Sequence, residues 1–226
     1  MILYNNNVIL NVYKPKNWTS FDVVKKLGNV LDEKKVGHAG TLDPLAEGVL
    51  VVLTGEDTKR QDEIMHQTKE YVADIGFGAT TPSLDLETDL EYSDKKLLKK
   101  DLRKKLMGAL PKYVGKYEQK VPMYSAASVD GEKLYKKARR GETIPYDKLP
   151  SREVTVDEIL MLDVNYNKEL KLPVATFVIK CGSGFYVRSL ARDLGKDLGV
   201  GGVLVNLVRT QVEDYSLSDS KPISSF

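Results

Sequence analysis

Val49 to Leu53 is an unbroken apolar run in which three of five residues are valine. Branched side chains pack well on a pleated surface, so the run predicts a buried strand. The segment leading into it, Gly37 to Gly48, holds Gly37, Gly40, His38, Asp43 and Pro44 and reads as a loop. Leu42 and Leu45 bracket Asp43-Pro44 with apolar bulk. A carboxylate placed there is partly desolvated yet oriented. Structured loops that feed a buried strand often carry function. The alternative is that Asp43 only caps a turn ahead of Pro44.

Around this segment the periodicities predict further strands and helices. Val8 to Tyr13 reads as a buried strand. Thr19 or Ser20 then caps a helix, with Asp22 three residues after Thr19 as a capping box. Val23, Val24, Leu27, Val30 and Leu31 follow at helical spacing. Residues 57–66 suit a helix and Glu70 to Phe77 a strand. The polar stretch 78–94 reads as loop or hairpin. Asp94 to Met107 reads as a helix with Leu98, Leu102 and Leu106 aligned, closed by Gly108 and Pro111. Residues 121–128 look extended, and Leu134 to Arg140 reads as a short basic helix stopped by Gly141. Val154 to Leu162 alternates weakly. Leu172 to Cys181 alternates better, with Ala175, Phe177, Ile179 and Cys181 on one face. Ser189 to Leu198 is a helix and Leu204 to Val212 a last strand. Strands outnumber helices without alternating one for one. That argues for an α+β fold, a mixed and mainly antiparallel sheet with flanking helices.

Several chemistries find no support. The single cysteine, Cys181, excludes an internal disulfide and a multi-cysteine metal site. His38, His66 and Cys181 show no paired ligand spacing, so no metal is expected. Gly76-Phe77-Gly78 and Gly182-Ser183-Gly184 complete no phosphate-binding loop. No serine sits in a nucleophile elbow. The first thirteen residues carry no charge, so no basic leader is expected there, and no segment is apolar enough to span a bilayer. The chain is expected in the cytoplasm. Its 34 Lys+Arg against 32 Asp+Glu give only +2. Locally, Lys95 to Lys105 holds seven basic residues and one acid, and Lys133 to Arg140 five and none. Either cluster neutralises phosphates or is simply a solvated helix face. Arg188, after Gly184-Phe185-Tyr186-Val187 at a helix start, is suited to pair bidentately with a carboxylate, and Asp43 is the reasonable partner.

The sequence Gly37-His38-Ala39-Gly40-Thr41-Leu42-Asp43-Pro44-Leu45-Ala46-Glu47-Gly48-Val49-Leu50 resembles the GHxGxLDPxAxGxL motif of TruB-type tRNA pseudouridine synthases. The resemblance continues in order along the chain. Lys14-Pro15 and Trp18-Thr19-Ser20 resemble the family's KPxGxTS segment. Thr58-Lys59 follows Asp57 where ATK is usual, and Lys69-Glu70-Tyr71 resembles K-x-Y. Pro122 to Ala126 with Gly131 to Tyr135, Gly182 to Leu190 with Asp193-Leu194-Gly195, and Leu207-Val208-Arg209-Thr210 resemble the remaining elements. One departure is Thr81-Pro82-Ser83-Leu84-Asp85, where the family often has T-D-T-x-D.

The resemblance implies a pseudouridine synthase fold and isomerisation of uridine 55 in the tRNA T-loop, with no cofactor. Asp43 corresponds to the nucleophile, and Arg188 would hold it ionised and aimed. Tyr71 would stack on the target base and serve in proton removal from C5. Tyr186 and Leu207 would line the uracil pocket. His38 would fill the space left by the everted nucleotide. Lys14, Lys59, Lys133 and Arg139, with the segment around 122–141, would grip the RNA backbone. Residues 1–226 are expected to form one catalytic domain carrying that insertion. No RNA-binding PUA domain is expected, since the chain ends soon after the last motif. The expected partner is tRNA alone, with a monomeric enzyme and neither membrane nor obligate protein partner. Alternatives are a non-catalytic RNA-binding or tRNA-folding protein and a guide-RNA-dependent synthase.

Overall fold

A computed structural model describes residues 7–95 and 99–226. In chain order the elements are β1 (Ile9–Lys14), α1 (Ser20–Leu31), β2 (Val36–His38), β3 (Glu47–Thr54), α2 (Gln61–Met65), β4 (Lys69–Phe77), β5 (Ala79–Thr80), β6 (Glu91–Tyr92) and α3 (Lys99–Ala109). They continue with β7 (Gly115–Lys120), β8 (Ser128–Val129), β9 (Glu132–Lys133), α4 (Leu134–Arg139), β10 (Ser151–Asn167), β11 (Leu172–Cys181), α5 (Val187–Leu198), β12 (Gly202–Val212), β13 (Tyr215–Ser216) and β14 (Lys221–Pro222). Residues 7–72 with 207–226 form one compact unit and 73–206 another, the division falling inside β4 and β12.

In the first unit the strand order is β14-β1-β3-β12, with β2 also on β3. β1 and β2 pair antiparallel to β3, whereas β14 runs parallel to β1 and β12 parallel to β3. The valine-rich run is explained by burial on both faces of β3. Leu50 and Val52 pack with Val12 and with Val23 and Leu27 of α1. Val49, Val51 and Leu53 pack with Ala39, Ile64 and Val212. Every one of these is fully or almost fully buried, each worth roughly 1.5–3 kcal/mol of transfer free energy for a side chain of Val or Leu size. α1 starts as expected. Thr19 accepts from the Asp22 N–H, and Asp22 accepts from the Thr19 N–H.

In the second unit β11 lies between β4 and β10, and β7 covers the far edge of β10. Ala175, Phe177, Ile179 and Cys181 share the buried face expected of β11. α5 buries Leu190 and Leu194, and Gly199 ends it in a left-handed conformation.

Several expected boundaries differ. The loop expected over 37–48 begins with β2, whose His38 pairs with Val52, and ends at β3. Residues 57–66 are a 3-10 stretch, Gly55–Arg60, followed by the short α2 rather than one helix. The helix expected from Asp94 to Met107 is seen as Lys99–Ala109. It runs through Gly108, because Leu102, Leu106 and Ala109 are buried and hold the last turn. Leu98 lies outside the described residues. Residues 121–128 bend instead of extending, and the extended piece is β7 just before them.

Candidate active site

In the first unit the segment between β2 and β3 is held mainly through its peptide groups. The Ser20 hydroxyl, fully buried at the start of α1, accepts the Leu42 N–H at 2.9 Å and donates to the Leu42 carbonyl at 3.1 Å. Two residues further on, Pro44 accepts the Asn17 N–H at 2.8 Å. Ala46 N–H closes a turn on the Asp43 carbonyl at 3.1 Å. Asp43 is thus fixed on both sides while its side chain stays half-buried. It does sit in a turn, as one reading of the sequence had it, but a turn clamped from three directions.

Two buried cations complete the clamp. Lys14 is fully buried, and its ammonium donates to the carbonyls of Trp18 (2.6 Å), Pro15 (2.9 Å) and Pro44 (3.4 Å). Burial pushes its pKa down to about 8, and the charge of Arg209 adds to this, while Asp43 and Glu47 oppose it. Lys14 was expected on the RNA backbone. It is turned inward instead, because the two-residue period of β1 puts it on the face of Val12. Arg209 is 1% exposed; its Nε donates to the Val49 carbonyl (2.7 Å) and an Nη to Gly40 (3.1 Å). Arg209 on β12 lies opposite Gly48 on β3. Gly48 has φ +107°, and a Cβ there would meet the Arg209 carbonyl oxygen at 2.3 Å. Only glycine lets the strands approach so closely.

His38 lies two residues before Gly40. Its pKa is lowered, first by burial and then by Arg209. Its Nδ1 is buried with no hydrogen-bond partner among the described residues. Tyr71 on β4 and Leu207 on β12 are both buried. Near them the Thr210 hydroxyl donates to Glu70 at 2.7 Å. Lys59 is exposed in the 3-10 stretch and pairs with Glu56.

Arg188 and Tyr186 belong to the second unit. Arg188, 4% exposed near the start of α5, donates to the carbonyls of Ser83 and Tyr124, each at 3.0 Å, and its Nε lies 3.6 Å from the Asp85 carboxylate. Asp85 is presented by the stretch that departs from the family pattern. There Leu84 adopts φ +67°, an uncommon conformation for a bulky side chain. Thr81 and Ser83 hydroxyls donate to the Asp85 carbonyl, and Leu204 N–H donates to Leu84. Tyr186 is fixed by the buried Gln119, which accepts its N–H at 2.9 Å and donates to its carbonyl at 3.2 Å.

Lys133 and Arg139 are exposed, Arg139 lying 5.6 Å over the Tyr135 ring. Their neighbours Lys137 and Arg140 are engaged with Glu132 and Glu142. The reading of the sequence did not single out Lys14 as a buried group, nor Ser20, Gln119, Asp85 and Arg209 as parts of a site. The signal for Lys14 and Arg209 was present. Each lies two residues from a buried apolar neighbour on its strand, Val12 and Leu207.

Comparison with known proteins identifies the family. A family model described as TruB family pseudouridylate synthase (N terminal domain) matches residues 28–187. A protein named tRNA pseudouridine synthase B from Phocaeicola vulgatus is 40% identical over 99% of this chain and 93% of its own. One of the same name from Parabacteroides distasonis is 42% identical over 92% of this chain and 87% of its own. A solved Cbf5-Nop10-Gar1 complex contains a chain that matches with a TM-score of 0.70 at 23% identity, over 97% of this chain and 53% of that one. This chain therefore spans about half of it, and the likeness bears on the fold, where it agrees with the α+β expectation. By the family model and by relatives near 40% identity, the chain belongs to the TruB family of pseudouridylate synthases.

Proposed function

We propose that this chain isomerises uridine in tRNA to pseudouridine, with uridine 55 of the T-loop as its target. The observation that carries the reading is Asp43 on a loop clamped by Lys14, Ser20 and Arg209, in a member of this family. The reaction breaks the N1–C1′ bond, turns the uracil and joins C5 to C1′; the C5 proton leaves and N1 takes one up, so the product is an isomer. No electrons pass to an external acceptor, so the reading includes no cofactor. Asp43 is the nucleophile. C5 and C1′ are shielded inside a folded T-loop, so the nucleotide must be everted. Arg188 supplies positive charge to the reacting centre, and its own geometry is supported by Asp85 and two carbonyls. Tyr71 stacks on the base and assists proton removal. Tyr186 and Leu207 line the uracil, and His38 fills the vacated space.

The segment around 122–141 grips RNA through Lys133 and Arg139, with Lys59 as a further phosphate contact. Lys14, being interior, holds the loop rather than the RNA. The reading has the protein act as a monomer in the cytoplasm, as one catalytic domain without a protein partner. The test is tritium release from tRNA labelled with [5-³H]uridine. Wild type should release tritium, and Asp43→Asn should be slower by ~10³-fold or more, roughly 4 kcal/mol of transition-state stabilisation. Its tRNA binding should stay within a few-fold. Release by Asp43→Asn at the wild-type rate removes the nucleophile assignment, and no release by wild type removes the function.

A further inference from the structure

The segment 122–141 lies within the second unit and is anchored at two roots, and one face of α5 holds both. The roots hold each other first. Val121 N–H donates to the Pro150 carbonyl at 3.0 Å, and the Lys120 ammonium donates to Asp147 (3.0 Å) and Leu149 (2.7 Å). α5 then takes the outgoing root. The Ser189 hydroxyl and an Arg192 Nη both donate to the Lys120 carbonyl at 2.8 Å. Arg192 also takes the returning root, its guanidinium lying 4.8 Å from the centre of the Tyr146 ring. Lys196 stands 3.9 Å from the same ring, and the Tyr146 hydroxyl donates to Asp193 at 3.3 Å. Asp193 in turn binds Arg192 at 2.8 and 3.2 Å, which fixes the plane of the guanidinium.

Residues 188, 189, 192 and 196 recur at the spacing of one helix face. Arg188, at the head of that face, holds the Tyr124 carbonyl just inside the segment. Arg192 contacts both roots, one through a carbonyl and one through a ring. We propose that Arg192 is a positioning residue that sets the segment 122–141 against α5, so that the RNA grip is oriented from the helix that carries Arg188. This rests on the reading of 122–141 as an RNA grip. Arg192 acts on RNA only through the placement of that segment.

Two readouts test it. The first needs no RNA. Hydrogen exchange in Arg192→Ala should speed up at the amides of Leu134 and Tyr135, whose partners are the Ala127 and Ser125 carbonyls inside the segment, with exchange in β11 unchanged. The second is steady-state kinetics on tRNA. Arg192→Ala should raise KM about tenfold and leave kcat within twofold. Tyr146→Phe, which keeps the ring, should stay near wild type, and Tyr146→Ala should match Arg192→Ala. Unchanged exchange in the segment overturns the proposal, as does a fall in kcat with KM unchanged. The double variant Lys133→Ala/Arg139→Ala separates the two claims. It should raise KM and flatten the salt dependence of binding by a slope of about 1–2. An unchanged KM there removes the grip, while exchange still decides the role of Arg192.

Discussion

The loop that carries Asp43 is irregular, whereas the segment 122–141 holds the short strands β8 and β9 and the helix α4. They are held in opposite ways. The loop is fixed by buried groups acting on peptide bonds: Ser20 on Leu42, Lys14 on Pro44, Arg209 on Gly40. The segment is tied at its roots, while the charges along it pair in solvent, Arg140 with Glu132 and Glu142. A buried hydrogen bond cannot be exchanged for one to water, so it holds a single geometry. An exposed ion pair gives way at little cost. The difference suits the roles proposed above, a carboxylate aimed at one atom and a surface that follows a polynucleotide.

The comparison breaks most sharply at Gly48. Gly48→Ala would place a Cβ against the Arg209 carbonyl at a positive φ and should destabilise the protein by about 3–5 kcal/mol, read in denaturant unfolding. The next effect is a pH dependence. Lys14 has a folded pKa of about 8 against the ordinary 10.5. Between these values the unfolded chain binds the extra proton, so Lys14 makes stability rise with pH across that window, by roughly 3 kcal/mol in all. Below about pH 8 the cost of keeping it charged is fully present. Lys14→Met should flatten that rise, and an identical slope would show that Lys14 is not desolvated. Ser20→Ala leaves two buried peptide groups of Leu42 unpaired and should cost roughly 2–3 kcal/mol, together with a fall in kcat. At the other end, Arg140→Ala in the segment should leave the melting temperature unmoved. A drop as large as that of Ser20→Ala would erase the contrast between the two regions.

Much of the fold was legible because burial writes periodicity. The two-sided burial of β3 and the face of β11 follow from the positions of apolar residues, and the capping box from Thr19 and Asp22 at its fixed spacing. β7 was missed because Gly115–Lys120 presents charge and glycine at an edge, with only Gln119 fully buried. Gln119 is buried for its two bonds to Tyr186, which no hydropathy pattern records. The catalytic motif was recognisable by resemblance. The partners of its supports were not, because Asp85 and Arg209 meet them more than a hundred residues away in sequence.

The clamp on the Asp43 loop touches carbonyls and amides, which every residue has. Besides the buried Ala39, Leu42 and Ala46, side chains in that loop are therefore not its handles. Thr41, exposed between Gly40 and Leu42, can be exchanged without loosening the frame. The scaffold thus separates where Asp43 stands from what is exposed beside it.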